Sequence, residues 1–234
     1  MSVIKAVGID LAKLVFSIHA IDEHDKCKFR KTVKRNNLLA EIAKLPPCII
    51  GMEACSGAHY WAREFTKLGH DVRIMASKFV IPYRQNAKND ANDAEAICEA
   101  ATRPKTRFVS IKSEEQQAVL CLHRIRQGAI KDRTARINRL RGLLAEFGII
   151  MPKGRYPAQK AIYEILEDAQ NNLPFLAREL LNDLWLNIKT LNEEILKYDR
   201  KLYALAKQMK DAKRLMSIPG IGEKTATELI TKFG

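Results

Sequence analysis

The sequence predicts a mixed α/β domain followed by a region of long helices. Three closely spaced apolar or alternating segments open the chain, and helix-like and strand-like patterns then alternate up to residue 102. Beyond that point the patterns are helical over long stretches. The chain has 234 residues, 47% of them apolar, so it can bury a sizeable core in one or two domains.

The first three segments predict an antiparallel meander. Residues 3–9 and 14–20 are apolar runs, and residues 27–33 alternate between apolar and polar side chains. Short polar segments separate them, which is typical of strands joined by tight turns.

The next part of the sequence alternates between helices and strands. We predict helices over residues 37–45, 59–68 and 92–101, and strands over residues 48–52 and 71–75. Pro46 and Pro47 end the first helix, and Gly69 follows the second. A meander followed by such an alternation predicts a mixed sheet with helices rather than a purely parallel sheet.

A long basic helix is predicted from residue 113 to about residue 147. Ser113 and Gln116 form a capping box, and acidic side chains in the first turn favour the helix N-terminus. The basic side chains along this helix are Arg124, Arg126, Lys131, Arg133, Arg136, Arg139 and Arg141.

The net charge is concentrated in this region. Lys and Arg number 40 against 27 Asp and Glu, a net charge of +13, and residues 103–155 alone hold 13 basic and 4 acidic side chains. A local basic block favours a polyanion as partner, usually nucleic acid, although a solvated basic helix is the alternative. We expect the seven basic residues to bind nucleic acid.

A heptad seam follows on the next long helix. Its apolar positions are spaced alternately by three and four residues, as in a coiled coil. They are Leu181, Leu184, Ile188, Leu191, Ile195, Tyr198, Leu202, Leu205 and Met209. Two interpretations have equal weight: the seam packs against the basic helix within the chain, or it joins copies of the chain.

The last segment resembles half of a helix-hairpin-helix element. Pro219-Gly220-Ile221-Gly222 precedes a helical pattern and is typical of the hairpin in such elements. Because the chain stops at Gly234, soon after this hairpin, we expect it to be a fragment. The predicted division is a sheet domain at 1–102, a basic helical and coiled-coil region at 103–212, and the truncated start of a C-terminal domain at 213–234.

Four carboxylates occupy positions suited to a metal site. Asp10 and Glu53 end the first and fourth predicted strands, and Asp90 and Asp93 stand three apart at a helix start. An all-oxygen cluster suits Mg²⁺ or Mn²⁺, and two such ions can activate a nucleophile and stabilise a leaving oxygen at phosphate. Helix capping is the alternative role for Asp90 and Asp93.

Four short motifs occur in a fixed order along the chain: Gly8-Ile9-Asp10, Gly51-Met52-Glu53, Asp90-Ala91-Asn92-Asp93 and Pro219-Gly220-Ile221-Gly222 with Thr225 and Ala226. Together they resemble the DEDD transposases of the insertion sequence 110 type, relatives of the Piv DNA invertase. The resemblance covers essentially the whole chain. Asn89 departs from the family, which usually has Thr or Ser there.

The resemblance implies a RuvC-like, RNase H-like fold with Asp10, Glu53, Asp90 and Asp93 as catalytic, Mg²⁺-binding residues. It also implies an element-encoded bridge RNA that pairs with DNA, and protein dimers that assemble as tetramers in synapsis through the coiled coil. The nucleophilic serine of the family lies beyond the Pro-Gly-Ile-Gly element, and Ser217 precedes that element.

The leading interpretation is a bacterial transposase that cleaves and exchanges DNA strands. A RuvC-like junction resolvase or nuclease and a non-catalytic nucleic-acid-binding module remain alternatives. The absence of a signal-peptide pattern and of an apolar run of about 20 residues predicts a cytoplasmic, nucleoid-associated protein without a membrane partner.

Overall fold

The computed structural model describes residues 3–84 and 90–233, except for the side chains of Asp90 and Ala91. The chain forms two compact units, Met1–Ser113 and Glu114–Gly234. The first unit contains a sheet, and the second is helical.

The first unit is built on a mixed sheet in the order β3-β2-β1-β4-β5-β6. β1, β2 and β3 pair antiparallel, β4 and β5 continue parallel to β1, and β6 is antiparallel to β5. The predicted meander and mixed sheet are confirmed, and the arrangement is consistent with an RNase H-like fold. The strands are β1 (Ile4–Asp10), β2 (Val15–Asp22), β3 (Cys27–Lys34), β4 (Ile49–Glu53), β5 (Asp71–Met75) and β6 (Phe108–Val109).

Helices cover both faces of this sheet. α1 (Arg35–Ile42) and α2 (Ala58–Lys67) pack on one face, and α4 (Asp90–Thr102) packs on the other. A short helix, α3 (Ser77–Val80), and a 3-10 turn (Ile81–Tyr83) follow β5.

The main core lies under α1 and α2. The β1 side chains Val7 and Ile9 and the β4 side chains Ile50 and Met52 all have no exposed surface, and they cluster with Phe65 of α2. Burying one such side chain contributes roughly 1.5–3 kcal/mol. Because side chains alternate along a strand, Gly8 and Gly51 face the opposite side of the sheet.

α4 lies unusually close to that opposite side. A Cβ atom on Gly8 would stand 2.1 Å from the carbonyl oxygen of Ala94 and 2.4 Å from the amide nitrogen of Cys98. A Cβ on Gly51 would stand 2.5 Å from the Cβ of Ala101. The missing side chains therefore allow the helix to pack directly against the backbone of β1 and β4.

The second unit consists of helices. The predicted basic helix is α5 (Glu114–Ala145). The third residue of α6, which begins at Arg155, is Pro157. It stands in the first turn, where the missing N–H removes no intrahelical bond. The later helices are α6 (Arg155–Glu167), α7 (Phe175–Gln208), α8 (Lys210–Met216) and α9 (Glu223–Phe233).

Eight of the nine positions of the heptad seam lie on α7, Met209 directly follows that helix, and the seam is covered within the chain. Leu181 and Ile188 are 2% and 1% exposed, and they cluster with Leu140 and Leu144 of α5 and Ile162 of α6. All nine seam positions are buried or half-buried. The structure therefore confirms that the seam packs against α5 within the chain, whereas a coiled coil between copies of the chain stays a prediction.

α8 and α9 flank the predicted hairpin. Gly220 has φ of +88°, a conformation that favours glycine, and Ile221 N–H donates to the carbonyl of Ile218 at 3.1 Å. Ala212 and Ala226 pack the two helices together. Within the described residues, none of the helices is long and apolar enough to cross a lipid bilayer.

Candidate acidic site and nucleic-acid interface

Asp10 and Glu53 end neighbouring parallel strands. Residues Gly8 and Ile9 of β1 stand opposite Gly51 and Met52 of β4 in the register. One step further along the same register brings Asp10 beside Glu53, on the face that carries the two glycines. Neighbouring strands lie about 4.8 Å apart, so the two carboxylates start from adjacent backbone positions.

The N-terminal end of α4 lies toward this pair of acids. Ala6 of β1 clusters with Cys98, whereas Gly8 also faces Ala94, one helical turn earlier. Moving along β1 toward Asp10 therefore means moving toward the start of α4. This direction brings Asp93, in the first turn of α4, to the edge of the sheet where Asp10 and Glu53 lie.

Arg84 joins two of the predicted acids directly. Its guanidinium Nη2 donates to Glu53 Oε2 at 3.0 Å, and its Nε lies 2.9 Å from Asp93 Oδ1. The Asp93 side chain is 9% exposed and those of Glu53 and Arg84 are 21% and 27% exposed. The structure thus brings Glu53 and Asp93 to one cation.

The two contacts of Arg84 differ in quality. The Glu53 contact is an aligned hydrogen bond, but Arg84 Nε and Asp93 Oδ1 are buried atoms with no aligned hydrogen bond. The second contact is therefore mainly coulombic. Glu53 also accepts a hydrogen bond from the hydroxyl of Ser77, at the start of α3.

Cys55 lies close to both strand-end acids. Burial raises the pKa of its thiol, and the negative charges of Asp10 and Glu53 raise it further. The thiol is therefore protonated at neutral pH and does not add a third negative charge. Its electrostatic coupling to both acids agrees with their adjacent placement at the strand ends.

The four predicted acids are described to different degrees. Asp10, Glu53 and Asp93 are placed at one edge of the sheet unit, and Asp90 opens α4, but its side chain lies outside the described residues, as does the preceding Lys88-Asn89. Among the side chains that the structure describes, no three His, Cys, Asp or Glu residues form a group able to hold a metal ion.

The donor chemistry of this edge nevertheless fits a hard divalent cation. Carboxylate oxygens are the ligands that Mg²⁺ and Mn²⁺ prefer, and the buried Asp93 Oδ1 lacks an aligned hydrogen-bond donor. Arg84 already holds a positive charge between two of these carboxylates.

Sequence reasoning missed Arg84 and Ser77. Both lie after β5, in a stretch with no strand or long helical pattern, and a single Arg or Ser there carries no spacing signal. A better signal is positional: β5 is parallel to β4, with Glu53 opposite Met75, so residues just after Met75 leave the sheet at the same edge as the acids.

The seven basic residues predicted on α5 fall into two groups. Arg124, Lys131 and Arg139 are exposed, and Arg136 is half-buried. Exposed cations at these positions can reach phosphate oxygens without losing an internal contact.

The other three arginines make contacts within the second unit. Arg133 is 7% exposed and donates to Asn192 Oδ1 of α7 at 3.1 Å. Arg141 donates to Asn138 Oδ1 at 2.7 Å and to the carbonyl of Pro152 at 3.2 Å. Arg126 forms an ion pair with Asp199 of α7.

Asp199 also connects α9 to this helix pair. Lys224 of α9 donates to Asp199 Oδ2 at 2.9 Å, so one carboxylate serves two cations. Burial alone would raise the pKa of Asp199, but the hydrogen bonds from Lys224 and Arg126 outweigh it and hold that pKa below its ordinary value. Nearby, His123 Nε2 and Thr227 Oγ1 are 3.0 Å apart and link α5 to α9.

Comparison with known proteins agrees with the sequence motifs. The family model for DEDD transposases of the IS110 type, described as Transposase, matches residues 7–149. A probable family 20 transposase of Pseudomonas aeruginosa is 42% identical over 229 residues, which cover 97% of this chain and 68% of that protein.

Two further relatives have similar sequence identities to this chain. The transposase for insertion sequence element IS1328 of Yersinia enterocolitica is 41% identical over 97% of this chain and 67% of its own length. The transposase for insertion sequence element IS1111A of Coxiella burnetii is 39% identical over 100% of this chain and 64% of its own length. The chain thus spans about two thirds of the length of these relatives. It belongs to the DEDD transposase family of the IS110 type.

Proposed function

We propose that this chain is the metal- and nucleic-acid-binding part of an insertion-sequence transposase that cleaves and exchanges DNA strands. The observation that carries the proposal is the register of β1 and β4, which sets Asp10 beside Glu53, with Asp93 of α4 directed to the same edge. A nucleic-acid-binding module without chemistry has no need for three acids at one edge, because like charges repel there.

Asp10, Glu53, Asp90 and Asp93 would hold Mg²⁺ or Mn²⁺. When bound, such ions supply a polarised phosphate and stabilisation of the developing negative charge. The residues of the chain fix the geometry: the sheet holds Asp10 and Glu53, α4 carries Asp90 and Asp93, and Ser77 orients Glu53 through its hydrogen bond.

The three exposed cations of α5 and the half-buried Arg136 would bind the backbone of DNA or of a guide RNA. Arg124, Lys131, Arg136 and Arg139 are the residues we assign to phosphate contacts. Arg126, Arg133 and Arg141 would act on binding indirectly, because their contacts hold α5 in place.

Three further parts of the proposal come from the family resemblance. An element-encoded bridge RNA would choose donor and target DNA by base pairing. The helical region would form homodimers that pair as tetramers in synapsis. A serine nucleophile would come from the C-terminal domain of the family, beyond the Pro-Gly-Ile-Gly element. Ser217 lies before that element and is therefore not assigned this role.

A direct test locates Mn²⁺ by its anomalous scattering in crystals of the chain bound to a DNA duplex. We expect density between Asp10, Glu53 and the start of α4, and we expect Asp10→Asn to abolish it. Asp71→Asn is a matched control, because Asp71 begins β5 at the opposite end of the strand. Metal that persists in Asp10→Asn would refute the proposed site.

The activity is tested on a longer protein of the same length as the relatives, which carries single substitutions at the proposed site. The assay measures DNA strand exchange with and without the element-encoded RNA. Loss of exchange in Glu53→Gln and retention in Asp71→Asn support the proposal. Cleavage of branched DNA by the 234-residue chain alone would favour a junction resolvase instead. Metal-independent binding that Asp10→Asn leaves unchanged, without any cleavage, would favour a non-catalytic module.

A further inference from the structure

We propose that Arg84 is the resident counterion of the acidic site and that a divalent cation binds by displacing its guanidinium from Glu53 and Asp93. This inference rests on the proposed metal site and adds a positioning residue to it. Arg84 connects the end of β4 with the first turn of α4 through contacts of 3.0 Å and 2.9 Å.

The electrostatic argument begins with the acids themselves. Glu53 and Asp93 lie close enough to share one guanidinium, and both side chains are largely removed from water. Two such carboxylates repel each other, and the repulsion is least screened where burial is greatest. The positive charge of Arg84 offsets it, so the two acids stay together before any metal is bound.

The same position suits a divalent ion only after the guanidinium has left. A Mg²⁺ ion bound to both carboxylates would need their oxygens at about 2.0–2.1 Å. A guanidinium in contact with those oxygens blocks that approach. Two cations in one small site also repel each other. Arg84 and the metal therefore compete for the same oxygens.

The contacts show that the exchange is feasible. Of its two contacts with Glu53 and Asp93, the first is an aligned hydrogen bond and the second is not. The Arg84 side chain is 27% exposed, so its guanidinium has a route to solvent. The backbone N–H of Arg84 donates to the carbonyl of Ile81 at 3.1 Å. This bond can hold the backbone while the side chain rotates away.

Manganese titration of the full 234-residue chain tests the competition. Arg84→Gln removes the competing charge, so we expect Mn²⁺, followed by calorimetry or electron paramagnetic resonance, to bind at least about fivefold more tightly than in the parent chain. Arg84→Lys keeps one positive charge but cannot bridge two carboxylates with a planar fork, and we expect an intermediate affinity.

Arg73→Gln is a matched control. Arg73 lies in the same unit, its side chain is 25% exposed, and it pairs with Asp71 at 2.6 Å, as Arg84 pairs with its acids. We expect Mn²⁺ affinity in this variant to equal that of the parent chain. An equal gain in Arg73→Gln would show a general charge effect and overturn the specific role of Arg84.

A second readout follows the guanidinium itself. The Nε–H resonance of Arg84, assigned by its loss in Arg84→Lys, should shift on addition of Mg²⁺, whereas that of Arg73 should not. Unchanged or weaker Mn²⁺ binding in both Arg84 variants, or an unmoved Arg84 resonance at saturating Mg²⁺, would overturn the inference. If Glu53→Gln leaves Mn²⁺ binding intact, the proposed metal site itself is wrong, which is a distinguishable result.

Discussion

The acidic edge of the sheet and the basic face of α5 are specified by the sequence in different ways. At the sheet, strand register and two glycines determine which side chains meet, and these features are local to short motifs. On α5, the exposure of a side chain depends on which helices pack against it. Two arginines of the same helix therefore differ in burial: Arg139 is exposed, whereas Arg133 is only 7% exposed. Residue type is therefore a better guide to a site at strand ends than along a long helix.

The largest expected effect comes from adding one methyl group under α4. In Gly8→Ala the new Cβ would meet backbone atoms of Ala94 and Cys98 at 2.1 Å and 2.4 Å, which cannot rotate away. We expect urea unfolding to show a loss of about 3 kcal/mol or more. Gly142→Ala on α5, where a Cβ meets nothing within 4 Å, should instead stabilise by about 0.5–1 kcal/mol. Equal effects in the two variants would contradict the close packing of α4.

The next effect separates a structural arginine from a binding one. Arg133→Ala removes a buried side chain and its hydrogen bond to Asn192, so we expect the free energy of unfolding to fall by about 1–3 kcal/mol. Denaturant unfolding of the chain measures it. A variant as stable as the parent chain would mean that Arg133 is not part of the helix packing and would return it to the candidate phosphate contacts.

A smaller loss of stability is expected when the pH is lowered. The pKa of Asp199 is held below its ordinary value of 3.8, so its contribution is present above that pH and is lost as the pH falls through the lowered pKa. Burial lowers the pKa of His123 below 6.5, so stability also begins to fall as the pH drops below 6.5.

Asp199→Asn should reduce the loss of stability below pH 3.8 and keep the loss below pH 6.5. Part of the acid loss remains, because the pKa values of Asp22, Glu41 and Glu228 are also held below their ordinary values. Its cost at pH 7 is about 1 kcal/mol, because the ion pairs with Arg126 and Lys224 are partly exposed and screened. Thermal unfolding measured between pH 2.5 and pH 8 checks both losses. An unchanged acid profile in Asp199→Asn would show that the links to α9 do not depend on its charge.

The smallest effect on stability is expected at the exposed face. Arg139→Ala should change the free energy of unfolding by less than about 0.5 kcal/mol. It should nevertheless lower the affinity for duplex DNA and reduce the slope of log affinity against log salt by about 1. Filter binding at several salt concentrations measures that slope. If the slope is unchanged in Arg139→Ala, the basic helix does not contact phosphate through this residue.

The sequence was a good guide where periodicity is strong. β5 was predicted over residues 71–75 and is observed as Asp71–Met75, and the placement of Asp10 and Glu53 at strand ends is confirmed. β6 was missed because a two-residue strand has no measurable period. Its pairing with β5 depends on residues that are distant in sequence.

Contacts between side chains of distant elements were beyond sequence reasoning. The bridge from Arg84 to Glu53 and Asp93 and the burial of Arg133 both arise from packing between elements, and no local pattern encodes them. The heptad seam left two interpretations open for the same reason, because a period of 3.5 residues identifies an apolar stripe but not its partner.

The close fit of α4 over Gly8 and Gly51 has a consequence for the order of folding. α4 follows Gly8 by more than 80 residues, and its docking surface is made by β1 and β4 together. Closing so long a loop is entropically unfavourable until the strands have paired. We therefore expect the meander and β4 to form before α4 docks. The acidic edge is then completed in one of the last folding steps, so a nascent or partly unfolded chain does not yet hold the proposed metal ligands together.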